Sequence, residues 1–173
     1  MEKIPFNTVQ TAIDNICGIE SEQDLEQVSQ KLFDAQPDLA GFFMEFIDDM
    51  SDEAKDLGFM MALILWRAFE DQYKDLRALT EDEVISSFEA REAELESYLQ
   101  IDDDMITRLQ EQESTSGGQP EVLNYIIEEL FMSPDLEPAL EQDEQIHLFM
   151  ICKFFADSLH SLAKESAPDL VKH

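Results

Sequence analysis

Two carboxylate–histidine pairs have a spacing that could do metal chemistry. Glu144-x-x-His147 matches the (i, i+3) arrangement with which helical di-iron proteins present two ligands on one face, and Asp157-x-x-His160 is a looser echo. The pairs lie thirteen residues apart on one expected helix. At ~1.5 Å rise per residue they are about 20 Å apart and point to different sides, so they cannot share one metal pair. A second helix would have to repeat the motif, yet the only histidines are His147, His160 and His173. Both pairs are therefore read as surface polar pairs, with no metal or cofactor assigned.

Asp102-Asp103-Asp104 resembles a cation cluster but not an EF-hand loop, which needs oxygen ligands at alternating positions and a glycine at the sixth. Counting from Asp102, the alternation fails at Ile106; counting from Asp48, it fails at Met50. A solvated helix start is expected. Cys17 and Cys152 have no neighbouring cations that would make either a nucleophile. Nucleotide-binding loops, a nucleophile elbow and a zinc-protease motif do not occur. No catalytic residue is assigned; a non-enzymatic role is the leading expectation, with a helical enzyme working near Arg67 and Lys153 as a rival.

Arg67 and Lys153 are the informative departures, because each is a cation inside an apolar stretch. Residues 59–66 are all apolar, and 146–155 are apolar except for His147 and Lys153. A buried cation needs a carboxylate, and Glu45 and Glu128 on the preceding helices are the expected partners. Trp66 would form an aromatic wall beside Arg67. Arg67, Lys153, Trp66, Glu45 and Glu128 thus form a candidate anion or partner site. The plainer readings are structural ion pairs, charges reaching solvent, and core packing for Trp66.

These residues must be positioned by helices. Five Gly and six Pro leave little room for an all-β fold, while twelve Phe and eight Met supply core material. The run 57–69 has no polar face for more than two turns, so it should be a helix surrounded by others. It is too short to span a membrane. A first helix is expected over 7–17, capped by Asn7 or Thr8, with Ile4 and Phe6 packing back on it. A second opens at Ser21, a third follows Gln36-Pro37, and a fourth begins near Ser51 and runs towards Leu76. Thr80 and Glu83 predict a capping box for a fifth, peripheral helix reaching Leu99, with a sixth over 101–109. Residues 114–118, S-T-S-G-G, read as a flexible linker. A seventh helix opens at Gln119-Pro120, an irregular acidic connection lies between Pro134 and Pro138, and an eighth spans 141–164.

Helices three and four resemble seven and eight. Gln36-Pro37 pairs with Gln119-Pro120, Arg67 with Lys153, and Asp71 with Asp157. The fold expected is all-α: about eight helices as antiparallel hairpins with an internal duplication, either solenoid-like or a pseudo-twofold bundle. Residues 1–113 form N-terminal hairpins, 119–165 a C-terminal hairpin on the same core, and 166–173 a frayed tail.

Forty acids against eleven bases give a net charge of −29. Direct binding to nucleic acid or to an anionic membrane is therefore not expected. Two cysteines without framework spacing, and an N-terminus without signal-peptide character, suit the cytoplasm. The leading expectation is an acidic cytosolic protein-interaction or regulatory module with a protein partner, and a basic one would be complementary. The alternatives are a nucleic-acid-mimicking inhibitor of a DNA-binding protein, or a small-ligand binder using Arg67 and Lys153.

Crowded carboxylates repel one another, and salt screens exposed charges over ~10 Å at 0.1 M. Added sodium chloride, about 0.3 M, should therefore raise the melting temperature at pH 7. A melting temperature that falls with salt would mean that ion pairing dominates the surface.

Overall fold

A computed structural model of the chain describes residues 1–133 and 140–167. The connection between Pro134 and Pro138 lies outside the described residues, and of the expected tail 166–173 only Ser166, which ends the last helix, and Ala167 are described. Among the described residues there are nine α-helices and no strand: α1 (Phe6–Cys17), α2 (Glu22–Ala35), α3 (Pro37–Ile47), α4 (Asp52–Gln72), α5 (Glu81–Ala90), α6 (Glu92–Ser97), α7 (Asp103–Thr115), α8 (Pro120–Ile127) and α9 (Gln142–Ser166). A 3-10 turn follows α6 and a π-helical turn, Glu128–Met132, follows α8. No described helix is long and apolar enough to cross a membrane.

The apolar run 59–66 and its flanks behave as their composition requires. Met61 to Trp66, Ala68 and Phe69 are all buried in α4. Its counterpart is α9, buried from Leu148 to Ala156, and the two helices pack on each other. Gly58 marks a close approach between them, since a Cβ there would lie 2.8 Å from Leu148 Cδ2. α1 lies across α4 and α8, while α3 packs on α4, α5 and α9. The contacts α1–α8 and α3–α9 join distant parts of the chain, so the molecule is a bundle and not a solenoid in which each hairpin touches only its neighbours.

Local signals place most helix starts. Ser21, Ser51 and Asp102 each accept a backbone N–H three residues on, and Thr80 with Glu83 completes a capping box. α1 departs from expectation: Pro5, not Asn7 or Thr8, occupies the N-cap, Ile4 is buried and Phe6 is exposed. α3 and α8 begin in a third way. Gln36 (φ −136°, ψ 64°) and Gln119 (φ −119°, ψ 80°) precede prolines at the first helical position. Both glutamines are buried and clamp another segment. Gln36 donates to Arg77 O (2.8 Å) and accepts from Leu79 N (3.0 Å), while Gln119 accepts from Ile4 N (2.8 Å).

Two expected elements are corrected. The fifth helix is broken at Arg91, so α5 and α6 are separate pieces. The presumed linker 114–118 is mostly structural: α7 runs to Thr115, and Gly117 adopts the left-handed conformation (φ 81°) past its end. Gly118 is buried because the Glu113 carboxylate lies against it and accepts from Gln119 N at 2.9 Å.

The glycines give a paired prediction. Gly41 lies in α3, and a Cβ added there would meet nothing within 4 Å, so Gly41→Ala should stabilise by roughly 0.5–1 kcal/mol in urea unfolding. At Gly118 a Cβ would lie 2.3 Å from Glu113 Oε1. Gly118→Ala must displace that carboxylate and should destabilise by about 1 kcal/mol or more.

Candidate functional site

Lys153 is only 6% exposed in the middle of the most buried face of α9. A charge so placed must be paired. Its Nζ donates to Asp157 Oδ2, one turn further on, at 2.7 Å, and lies 3.8 Å from Glu113 Oε2 of α7. Asp157 Oδ2 also accepts from Arg91 Nη2 at 2.6 Å. Arg91 in turn grips Glu94 through Nε (3.0 Å) and Nη2 (3.2 Å), and the Tyr98 hydroxyl donates to Glu94 Oε1 at 2.9 Å. The break at Arg91 therefore sits where α5 and α6 are tied to α9.

The electrostatics follow. Burial pushes the Glu94 carboxyl up, but the Arg91 hydrogen bonds and charge outweigh it and hold the group below its usual range. Burial likewise opposes the Arg91 charge, and Glu94 and Asp157 reverse it, holding the guanidinium firmly protonated. At the rim, hydrogen bonds from Arg77, with help from Thr80, lower Glu83 to about 2.

A cleft of about 300 Å³ lies between α5, the end of α7 and α9. Arg91, Lys153, Glu113, Asp157 and Glu83 supply its charges, with Ser87, Ser161 and His160 beside them. Gln119 Nε2 lies 3.2 Å from His160 Nδ1 and donates to the Tyr73 hydroxyl at 2.7 Å. As an amide nitrogen can only donate, His160 Nδ1 is the acceptor and the imidazole is neutral. Burial lowers the His160 pKa, with Asp157 and Glu113 opposing.

Of the five residues singled out by sequence, only Lys153 lines this cleft. The expected ion partners are corrected: Glu45 and Glu128 are exposed, and the cations instead turn along their own helices. Arg67 Nε lies 3.4 Å from Asp71 Oδ1, both about one-third exposed, and without hydrogen-bond geometry. Trp66 is buried in the core, with Nε1 lacking a partner among the described residues. Glu45 borders a separate depression with Phe42 and Val84. Arg91, Glu94 and Glu113 were missed, because their partners are far away in sequence and nothing local distinguishes them from other surface charges.

The carboxylate–histidine pairs have structural uses. Glu144 accepts from Ser51 N (2.8 Å) and Ser51 Oγ (3.1 Å), tying the start of α9 to that of α4. His147 Nδ1 donates to Asp143 O at 2.8 Å. Among the described residues, no three His, Cys, Asp or Glu side chains gather as a metal site requires. Burial raises the Cys152 thiol pKa far above its ordinary value and raises that of Cys17 too, so neither is an activated thiolate. Set against protein-family models, curated proteins and solved structures, the chain has no match.

The two cation–carboxylate pairs should differ sharply in stability. Asp157→Ala leaves Lys153 buried without its hydrogen-bonded partner and should cost about 3–5 kcal/mol in urea unfolding. Asp71→Ala removes a partly exposed pair and should cost less than about 1 kcal/mol. Equal losses would show that Lys153 reaches water.

Proposed function

We propose that the chain is a non-catalytic interaction module that docks a basic protein segment at the cleft bordered by Arg91, Lys153, Asp157 and Glu113. The observation that carries this reading is the cleft itself, a place where cations, carboxylates and hydroxyls converge on one cavity in an otherwise acidic molecule. The net charge of −29 attracts a basic partner over distance, and the cleft supplies the specific contact. Each buried charge is already matched inside the protein, which suits recognition better than bond-making. The mixed signs in the cleft favour this over mimicry of nucleic acid, which calls for an all-acid surface. A cytoplasmic setting accords with two free cysteines. An internal duplication of 36–73 and 119–159 is part of the same proposal, supported by the matching Gln-Pro helix starts and by the pairs Arg67–Asp71 and Lys153–Asp157.

The test blocks the cleft from a residue that belongs to none of its ion pairs. Ser87 is half-buried on α5 and borders the cavity, so Ser87→Arg should fill it. Immobilised wild-type protein should retain a basic protein from native-host extract at low salt and release it as salt rises, while Ser87→Arg should not retain it. Equal retention by Ser87→Arg would place the docking surface elsewhere.

A further inference from the structure

The cleft has unused hydrogen-bonding capacity of both kinds. Arg91 directs Nε and Nη2 to carboxylates, whereas its Nη1 has no hydrogen-bond partner among the described residues. Lys153 uses one of its three N–H groups on Asp157. The Ser87 and Ser161 hydroxyls border the same cavity. On the accepting side, Glu113 Oε1 is taken by Gln119 N, but Oε2 has only the 3.8 Å approach of Lys153. Asp157 Oδ1 also has no hydrogen-bond partner among the described residues, whereas both Glu83 oxygens are engaged by Arg77.

A ligand that matches these atoms carries a carboxylate and a cation together. A lone anion would meet Glu113 and Asp157, and a lone cation would meet Arg91 and Lys153. The size of the cavity narrows the choice. About 300 Å³ is the lower end of the range for ligand pockets, room for roughly one residue. A chain end can enter such a space, whereas an internal segment has to run in and out of it.

Resting on the docking role proposed above, we propose that the cleft seats the carboxyl terminus of a partner chain that ends in Lys or Arg. The terminal carboxylate accepts from Arg91, with the Ser87 and Ser161 hydroxyls as further donors. The side-chain cation of that last residue pairs with Glu113. Amidation of the terminus leaves Arg91 Nη1 without an acceptor, and an apolar last residue leaves Glu113 Oε2 without a close donor. In either case a polar atom loses water without gaining a partner, which weakens binding.

The experiment is calorimetric titration of the full chain at low salt with acetyl-Gly-Gly-Lys bearing a free carboxyl, its C-terminal amide, acetyl-Gly-Gly-Leu with a free carboxyl, and free L-lysine. The free-acid lysine peptide should bind about tenfold or more tightly than the other three. Glu113→Gln keeps an oxygen for Gln119 N but removes the charge, and should reduce the lysine peptide to the level of the leucine peptide while its circular dichroism stays unchanged. Equal binding of the amide would overturn recognition of a chain end while leaving docking of a basic segment intact. Equal or tighter binding of free lysine would assign the site to a small molecule. An absence of binding by any probe at millimolar concentration would also reject the inference, while capture by wild type and not by Ser87→Arg would separately decide whether the cleft docks a protein at all.

Discussion

The constraint on which the structure turns is one cation on its most buried helix. An ion removed from water costs several kcal/mol unless good geometry repays it. Lys153 meets that demand with Asp157 on its own helix and Glu113 on α7, and Asp157 recruits Arg91 from the break between α5 and α6. Three peripheral pieces of chain are thereby held against α9. The Arg91 guanidinium also lies 5.8 Å from the centre of the Phe154 ring, which packs with Phe42 and Phe88. The ionic layer thus rests directly on an aromatic one, and each limits how far the other can shift.

Buried amides extend the same logic. Gln119 has every side-chain polar atom engaged: its oxygen by Ile4 N, its nitrogen by Tyr73 and His160. Tyr73 in turn donates to Glu2 O. The N-terminal segment is therefore fastened to Gln119 and Tyr73, and through Gln119 to His160, which borders the cleft. Gln36 fastens the chain that enters α5 in the same way. Such fully satisfied polar groups specify how the helices dock, a choice that apolar contacts alone leave loose.

What was legible in the sequence was local. The apolar run of α4 and its echo in α9 announced the two central helices, because apolar residues on every side require burial. Ser21, Ser51 and Thr80 announced helix starts, because a cap acts within three residues. The cleft was not legible. Arg91 reaches Asp157 across 66 positions, and in a helix rich in glutamate it looked like an ordinary surface charge. Glu45 and Glu128 lie on the preceding helices, but a lysine or arginine on a helix reaches a carboxylate one turn away more easily. Gly118 looked like linker because the need for a bare backbone there arises from Glu113, which only the fold brings against it.

The ion network around Asp157 holds α5, α6 and α7 against α9. Hydrogen exchange resolved by residue, comparing wild type with Asp157→Asn, tests it most directly, since the substitution keeps the side chain's shape and removes its charge. Amides of α5, α6 and α7 should lose protection while those buried in α4 keep theirs. Unchanged protection in α5–α7, or a uniform loss across the bundle, would contradict it.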